Sequence, residues 1–132
     1  MKALDTNVLV RFLVNDDKTQ AELALKLISA AEAKRDVLFV SELVLLELIW
    51  VLESVYVVNR TELLDSIDDL LQMPALNIGS LTAVQAFLHN ARINKLDLSD
   101  LLIGHCARQS GCESVLTFDK GAAKSDLFQQ VI

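Results

Sequence analysis

The chain has 132 residues, 52% hydrophobic and 23% charged, with one proline, four glycines and a formal net charge of −6. That length fits one domain, residues 1–132, with a core that needs no disulfide or structural metal, and the composition excludes a disordered chain. The longest apolar stretch, residues 43–58, is broken by Glu47 and Glu53, so it is too short and too charged to span a bilayer. Cys106 and Cys112 form neither a CxxC pair nor a Cys/His set, and no leader pattern precedes them. Reduced thiols in a cytoplasmic protein are therefore expected.

Residues 2–4 read as a short strand ending at Asp5, followed at once by a helix carrying Val8, Leu9, Phe12 and Leu13. Asn15, Asp16 and Asp17 form a turn and cap cluster. Residues 18–35 show helical spacing, with Ala21, Leu25, Ile28 and Ala31 on the apolar side against Glu22, Lys26 and Lys34. Residues 37–40 are a continuous apolar run, as in a strand buried on both faces. Ser41 is placed to cap the next helix, with Glu42 in its first turn. That helix runs to about residue 55 and is apolar nearly all round, which predicts burial or a subunit interface.

Thr61 is the expected cap of a further helix that ends before Pro74, its solvated face holding Glu62, Asp65, Asp68 and Asp69. Residues 76–78 read as a strand and residues 82–93 as a helix. Another helix spans residues 99–109, with Gly111 as its stop. Residues 114–118 form a strand ending at Asp119, and residues 120–132 a helical turn and an edge strand. Strands alternating with helices predict an α/β fold, a three-layer α/β/α sandwich around a central parallel sheet.

In such sheets functional groups collect where strands end. Asp5 and Asp119 stand at such ends, suited either to capping the next helix or to chemistry. Glu47 sits in the middle of the most apolar helix. Buried there, its charge would need a salt-bridge partner or a cation, and Arg35 and Arg60 are the nearest cations along the chain. Asp100 opens a helix, where the dipole alone would favour it. Should the four converge, two carboxylates about 4 Å apart repel by roughly 4 kcal/mol at an effective dielectric of 20. An all-oxygen cluster of that kind calls for a hard ion, Mg²⁺ or Mn²⁺, rather than zinc.

Four segments, in order, resemble the PIN-domain family, and within it the VapC-like toxins of VapBC toxin–antitoxin pairs. They are Leu4-Asp5-Thr6-Asn7-Val8-Leu9, Leu45-Leu46-Glu47-Leu48, Asp97-Leu98-Ser99-Asp100-Leu101-Leu102-Ile103, and Leu116-Thr117-Phe118-Asp119. Each is loose alone; in order they run from residue 4 to residue 119, so the resemblance spans essentially the whole domain. The resemblance implies a metal-dependent endoribonuclease acting through Asp5, Glu47, Asp100 and Asp119, with Asp5 and Asp100 the principal Mg²⁺ or Mn²⁺ ligands. It places Thr6, Asn7 and Thr117 beside the carboxylates as orienting groups, and Asp97 either there or as a helix cap. It also implies an RNA substrate, an antitoxin partner and a homodimer, for which the apolar helix of residues 43–58 is suited.

Leu98-Ser99 departs from the aromatic–alanine pair common in such toxins, and the acidic balance is unusual for an RNA enzyme. Taking the four ligands out of the charge count leaves about −2. Arg11, Lys120 and Lys124 are candidate RNA contacts, with Arg92 or Lys95 able to join them. A Mg²⁺-dependent phosphatase would need an Asp two residues after Asp5, where Asn7 stands. A receiver would need an acidic pair at the first strand. A catalytically silent interaction module fits poorly with four carboxylates all in place.

Overall fold

Parallel pairing explains why the apolar runs near the amino terminus are continuous rather than alternating. The computed structural model describes residues 1–132, which divide into two compact units, Met1–Gly79 and Ser80–Ile132. In the first, β1 (Lys2–Ala3), β2 (Leu38–Val40) and β3 (Leu76–Ile78) form one parallel sheet in that order. β2 lies in the middle, and its Leu38 and Val40 are buried as the apolar run predicts. The helices α1 (Thr6–Leu13) and α2 (Lys18–Ala33) connect β1 to β2. α3 (Glu42–Ser54) and α4 (Arg60–Leu71) connect β2 to β3. Right-handed crossovers between strands added in one direction fall on the same face of the sheet, in keeping with α1 packing on both α2 and α3.

The register sets Ala3 against Phe39 and Phe39 against Asn77. Two residues further on, Asp5, Ser41 and Gly79 therefore lie in one row at the carboxyl edge. Asp5 caps α1, its Oδ1 accepting from the Thr6 N–H at 2.9 Å, and Ser41 caps α3, its Oγ accepting from the Val44 N–H at 3.2 Å.

Three expectations need correction here. α2 buries Ala24, Ile28 and Ala31, while Leu25 is 55% exposed and Leu23 and Leu27 also face outward. Ala24, Ile28 and Ala31 form the buried face, whereas Leu23 and Leu27 edge an open groove shared with Asn7, Val8 and Arg11 of α1. The cap of α4 is Asn59, whose Oδ1 accepts from the Glu62 N–H at 2.9 Å, not Thr61. Finally, α3 is not buried all round. It buries Leu45, Leu48, Ile49 and Leu52, whereas Leu43, Glu47 and Trp50 share an exposed stripe.

Before α4 the chain passes through Val57 at φ +52°, and this side chain is 79% exposed. A β-branched residue in the left-handed region costs about 1–2 kcal/mol. Glycine there would remove that strain against an entropy cost of about 0.5–1 kcal/mol. Val57→Gly is thus expected to stabilise the protein by roughly 0.5–1 kcal/mol in urea titration; a net loss would mean that Val57 packs on something the exposed conformation does not reveal.

In the second unit, α5 (Leu81–Arg92) packs on α6 (Leu98–Gln109) around the fully buried Phe87. β4 (Val115–Thr117) pairs in parallel with β5 (Phe128–Gln130), joined through a short 3₁₀ turn at Ala122–Lys124. Gly111, at φ +94°, ends α6: its N–H donates to the Arg108 carbonyl at 3.0 Å and the Cys112 N–H to Ala107 at 3.0 Å. Those two bonds are the Schellman pattern that glycine permits. The expected α/β class with parallel strands is the one found. No helix is long and apolar enough to cross a membrane.

Candidate active site

The start of α6 is held by its own sequence. Leu98, Leu101 and Leu102 are buried and anchor the first turns, and Asp97 caps them, its Oδ2 accepting from the Asp100 N–H at 2.9 Å. That cap bond ties the two aspartates together, with Asp100 half-buried. Beyond β4, the Asp119 Oδ1 accepts from the Gly121 N–H at 2.7 Å and from the Ala122 N–H at 3.3 Å, opening the 3₁₀ turn. Thr117 supports the turn from below, its Oγ1 accepting from the Asp119 N–H at 3.0 Å.

Asp97, Asp100 and Asp119 line one cavity of about 200 Å³, together with Lys95, Leu96, Gly121, Ala122 and Lys124. Burial, then the charges of Asp97 and Asp119, push the Asp100 carboxyl above its ordinary range. A carboxyl so placed is costly to ionise unless a cation answers it. The donor set is oxygen only, which fits a hard divalent ion and not zinc. No group of three or more His, Cys, Asp or Glu side chains is preassembled to hold a metal. In this cavity one oxygen each of Asp97 and Asp119 is turned to backbone amides. Each still has a second oxygen to offer.

The other expected site residues belong to the first unit. Asp5 is exposed at the α1 cap. Thr6 beside it is only 3% exposed, and its Oγ1 has no hydrogen-bond partner. Asn7 is exposed along α1. Glu47 is exposed on α3, which overturns the argument from a buried charge: solvated, it needs no partner to offset desolvation. Its candidacy rests on the motif alone.

Among the expected RNA contacts, Lys124 lines the carboxylate cavity and Lys120 does not. Arg11 is engaged within its own unit. It donates to the Gln20 Oε1 at 2.7 Å and pairs with the Asp16 Oδ1 at 2.9 Å, while the Tyr56 hydroxyl donates to the Asp16 Oδ2 at 2.8 Å. The Tyr56 bond, with desolvation opposing it and Arg11 assisting, holds the Asp16 carboxyl below its usual range.

The sequence matches the PIN-domain family model from residue 2 to residue 126. The chain belongs to the PIN-domain family. Nuclease activity is what that membership suggests in general, and PIN domains generally use divalent metal ions. A search of curated proteins found no match. Within this PIN domain, sequence reasoning overlooked Gly121, whose amide is the shortest contact of Asp119. The Asp-Lys-Gly spacing is an Asx-turn signature that could have revealed it.

Proposed function

We propose that this PIN domain, residues 1–132 acting as one domain, is a Mg²⁺- or Mn²⁺-dependent endoribonuclease, the toxin of a VapBC-type pair working in the cytoplasm. The observation that carries the reading is the cavity in which Asp97 and Asp119 bear on Asp100, in a chain of the PIN family. Asp5, Glu47, Asp100 and Asp119 match the family motifs and are the carboxylates assigned to catalysis. Asp5 and Asp100 are the principal ligands, and Thr6, Asn7, Asp97 and Thr117 are orienting groups.

An ion held by these carboxylates would supply an acidified water for attack and a stabilising charge for the leaving oxygen. The protein's part is to hold the carboxylates aimed. Asp97 does so by locking the first turn of α6, and Thr117 by bracing the Asp119 turn. No side chain in the cavity is a Ser, Cys or His nucleophile, so direct attack by water is the route that suits these residues. Exposed Leu43, Trp50 and Val55 on and after α3 support a second copy or an antitoxin as the partner there.

The test is cleavage of a mixed RNA pool by wild type and by Asp5→Asn, with Mg²⁺, Mn²⁺ or EDTA. Metal-dependent cutting by wild type alone is the expected result. Equal cutting by both proteins, or cutting in EDTA, would overturn it.

A further inference from the structure

Five cations lie near the expected site residues in sequence: Arg11, Arg92, Lys95, Lys120 and Lys124. The fold gives them different surroundings. Arg11 is taken up by Asp16 and Gln20, and neither Arg92 nor Lys120 lines the carboxylate cavity. Lys95 and Lys124 do. We propose that these two lysines are the phosphate contacts of the site, gripping the backbone of a single-stranded RNA beside the bond to be cut. This rests on the nuclease reading above.

Both lysines ride on the segments that set the carboxylates. Lys95 lies in the loop that leads into the Asp97 cap, and Lys124 ends the 3₁₀ turn that Asp119 opens. Their spacing from the carboxylates is thus fixed by short, hydrogen-bonded backbone. Both side chains are exposed, and no ion pair joins either to Asp97, Asp100 or Asp119. The charges that act on Asp100 are those of Asp97 and Asp119, with no lysine offsetting them. The ammonium groups therefore remain available to an outside anion.

The charge count shows what they do. Three carboxylates and two ammoniums leave the cavity at −1, and one divalent ion turns it to +1. Without the lysines the loaded cavity would still be −1 and would repel a phosphodiester. In a chain of net charge −6, these two side chains decide whether RNA is drawn in at this point.

The experiment is fluorescence anisotropy of a mixed-sequence single-stranded RNA dodecamer on the full chain, titrated across salt concentration in Ca²⁺, an oxygen-seeking ion. Lys95→Gln/Lys124→Gln should flatten the slope of log K against log salt by about 1.4, at about 0.7 per lost phosphate contact. Lys120→Gln should leave the slope unchanged, and exposed lysines changed to glutamine should leave Tm unmoved. An unchanged slope in the double variant, or an equal change in Lys120→Gln, overturns the proposal. RNA cleavage by wild type in Mg²⁺ separates the two readings. If wild type cuts while the double variant keeps its slope, the lysine assignment alone fails. If wild type neither binds nor cuts RNA, both fail.

Discussion

Asp100→Asn is expected to abolish metal-dependent RNA cleavage while raising the melting temperature of the metal-free protein at neutral pH. Loss of groups that merely support a ligand costs about 10–100-fold, so removal of a carboxylate proposed as a principal ligand should cost at least about 100-fold in kcat. The stability effect has the opposite sign. Burial and the charges of Asp97 and Asp119 raise the Asp100 carboxyl above its usual range. A carboxyl whose pKa rises on folding contributes stability below its unfolded value, near 4, and that contribution is lost as pH climbs through the folded value. At pH 7 the folded protein thus carries an ionised group that it disfavours. Asparagine has nearly the same shape and no charge, and the backbone bond from the residue 100 N–H to Asp97 is untouched.

The variant should therefore melt above wild type at pH 7 in EDTA, with the gap closing as pH falls below the ordinary carboxylate range. Added Mn²⁺ should raise the wild-type Tm and leave the variant unmoved, because a ligand stabilises only the state that binds it. Two results would count against the argument: full cleavage by the variant, or a lower Tm at pH 7. The first removes Asp100 from the chemistry, and the second makes it a structural residue.

Gly104→Ala is expected to weaken the second unit, although alanine is ordinarily the better helix former. In the middle of an exposed helix the exchange would gain about 1 kcal/mol. Here a Cβ on residue 104 would stand 2.8 Å from the Leu127 Cβ, 2.9 Å from its Cδ1 and 3.1 Å from the Phe128 ring. Leu127 Cβ is fixed to backbone, and both Leu127 and Phe128 are buried, so neither can simply swing away. Overpacking of this kind costs about 1–3 kcal/mol, and a contact this short belongs at the upper end. The net expectation is a loss of about 1–2 kcal/mol in urea titration. Leu127→Ala in the same chain removes the Cδ1 contact and leaves the Cβ contact, so the two changes should cost less together than their sum. Strict additivity would show that the two side chains do not meet.

Much of this protein is legible along the chain because the deciding interactions are local. Ser41 as a cap, Gly111 as a stop and the apolar run of β2 each depend on neighbours within a few residues, and each appears where expected. The carboxylates Asp5, Asp100 and Asp119 are legible as strand-end and helix-start residues, and the PIN-domain resemblance agrees with the family model that matches residues 2–126. Local pattern failed where choice of face was at stake. α2 is apolar on more than one side, so periodicity could not say whether its leucines or its alanines would be buried. The fold buries Ala24, Ile28 and Ala31 and leaves Leu25 exposed, with Leu23 and Leu27 at the edge of an open groove beside α1. The same applies to Glu47: its apolar setting along the chain suggested burial, but the helix turned its stripe with Leu43 and Trp50 outward.

What the sequence by itself determined is the order of elements, the parallel α/β class, the PIN-family membership and the identities of the acidic residues. What only tertiary structure decided is which charges share a cavity. Lys95 and Lys124 stand with Asp97, Asp100 and Asp119, while Arg11 turns to Asp16 and Tyr56, 45 residues away in sequence. The reason is that helix and strand propensities act over a turn or a few residues, whereas an electrostatic environment is the sum over every group the fold brings near. That sum exists only once the chain has folded.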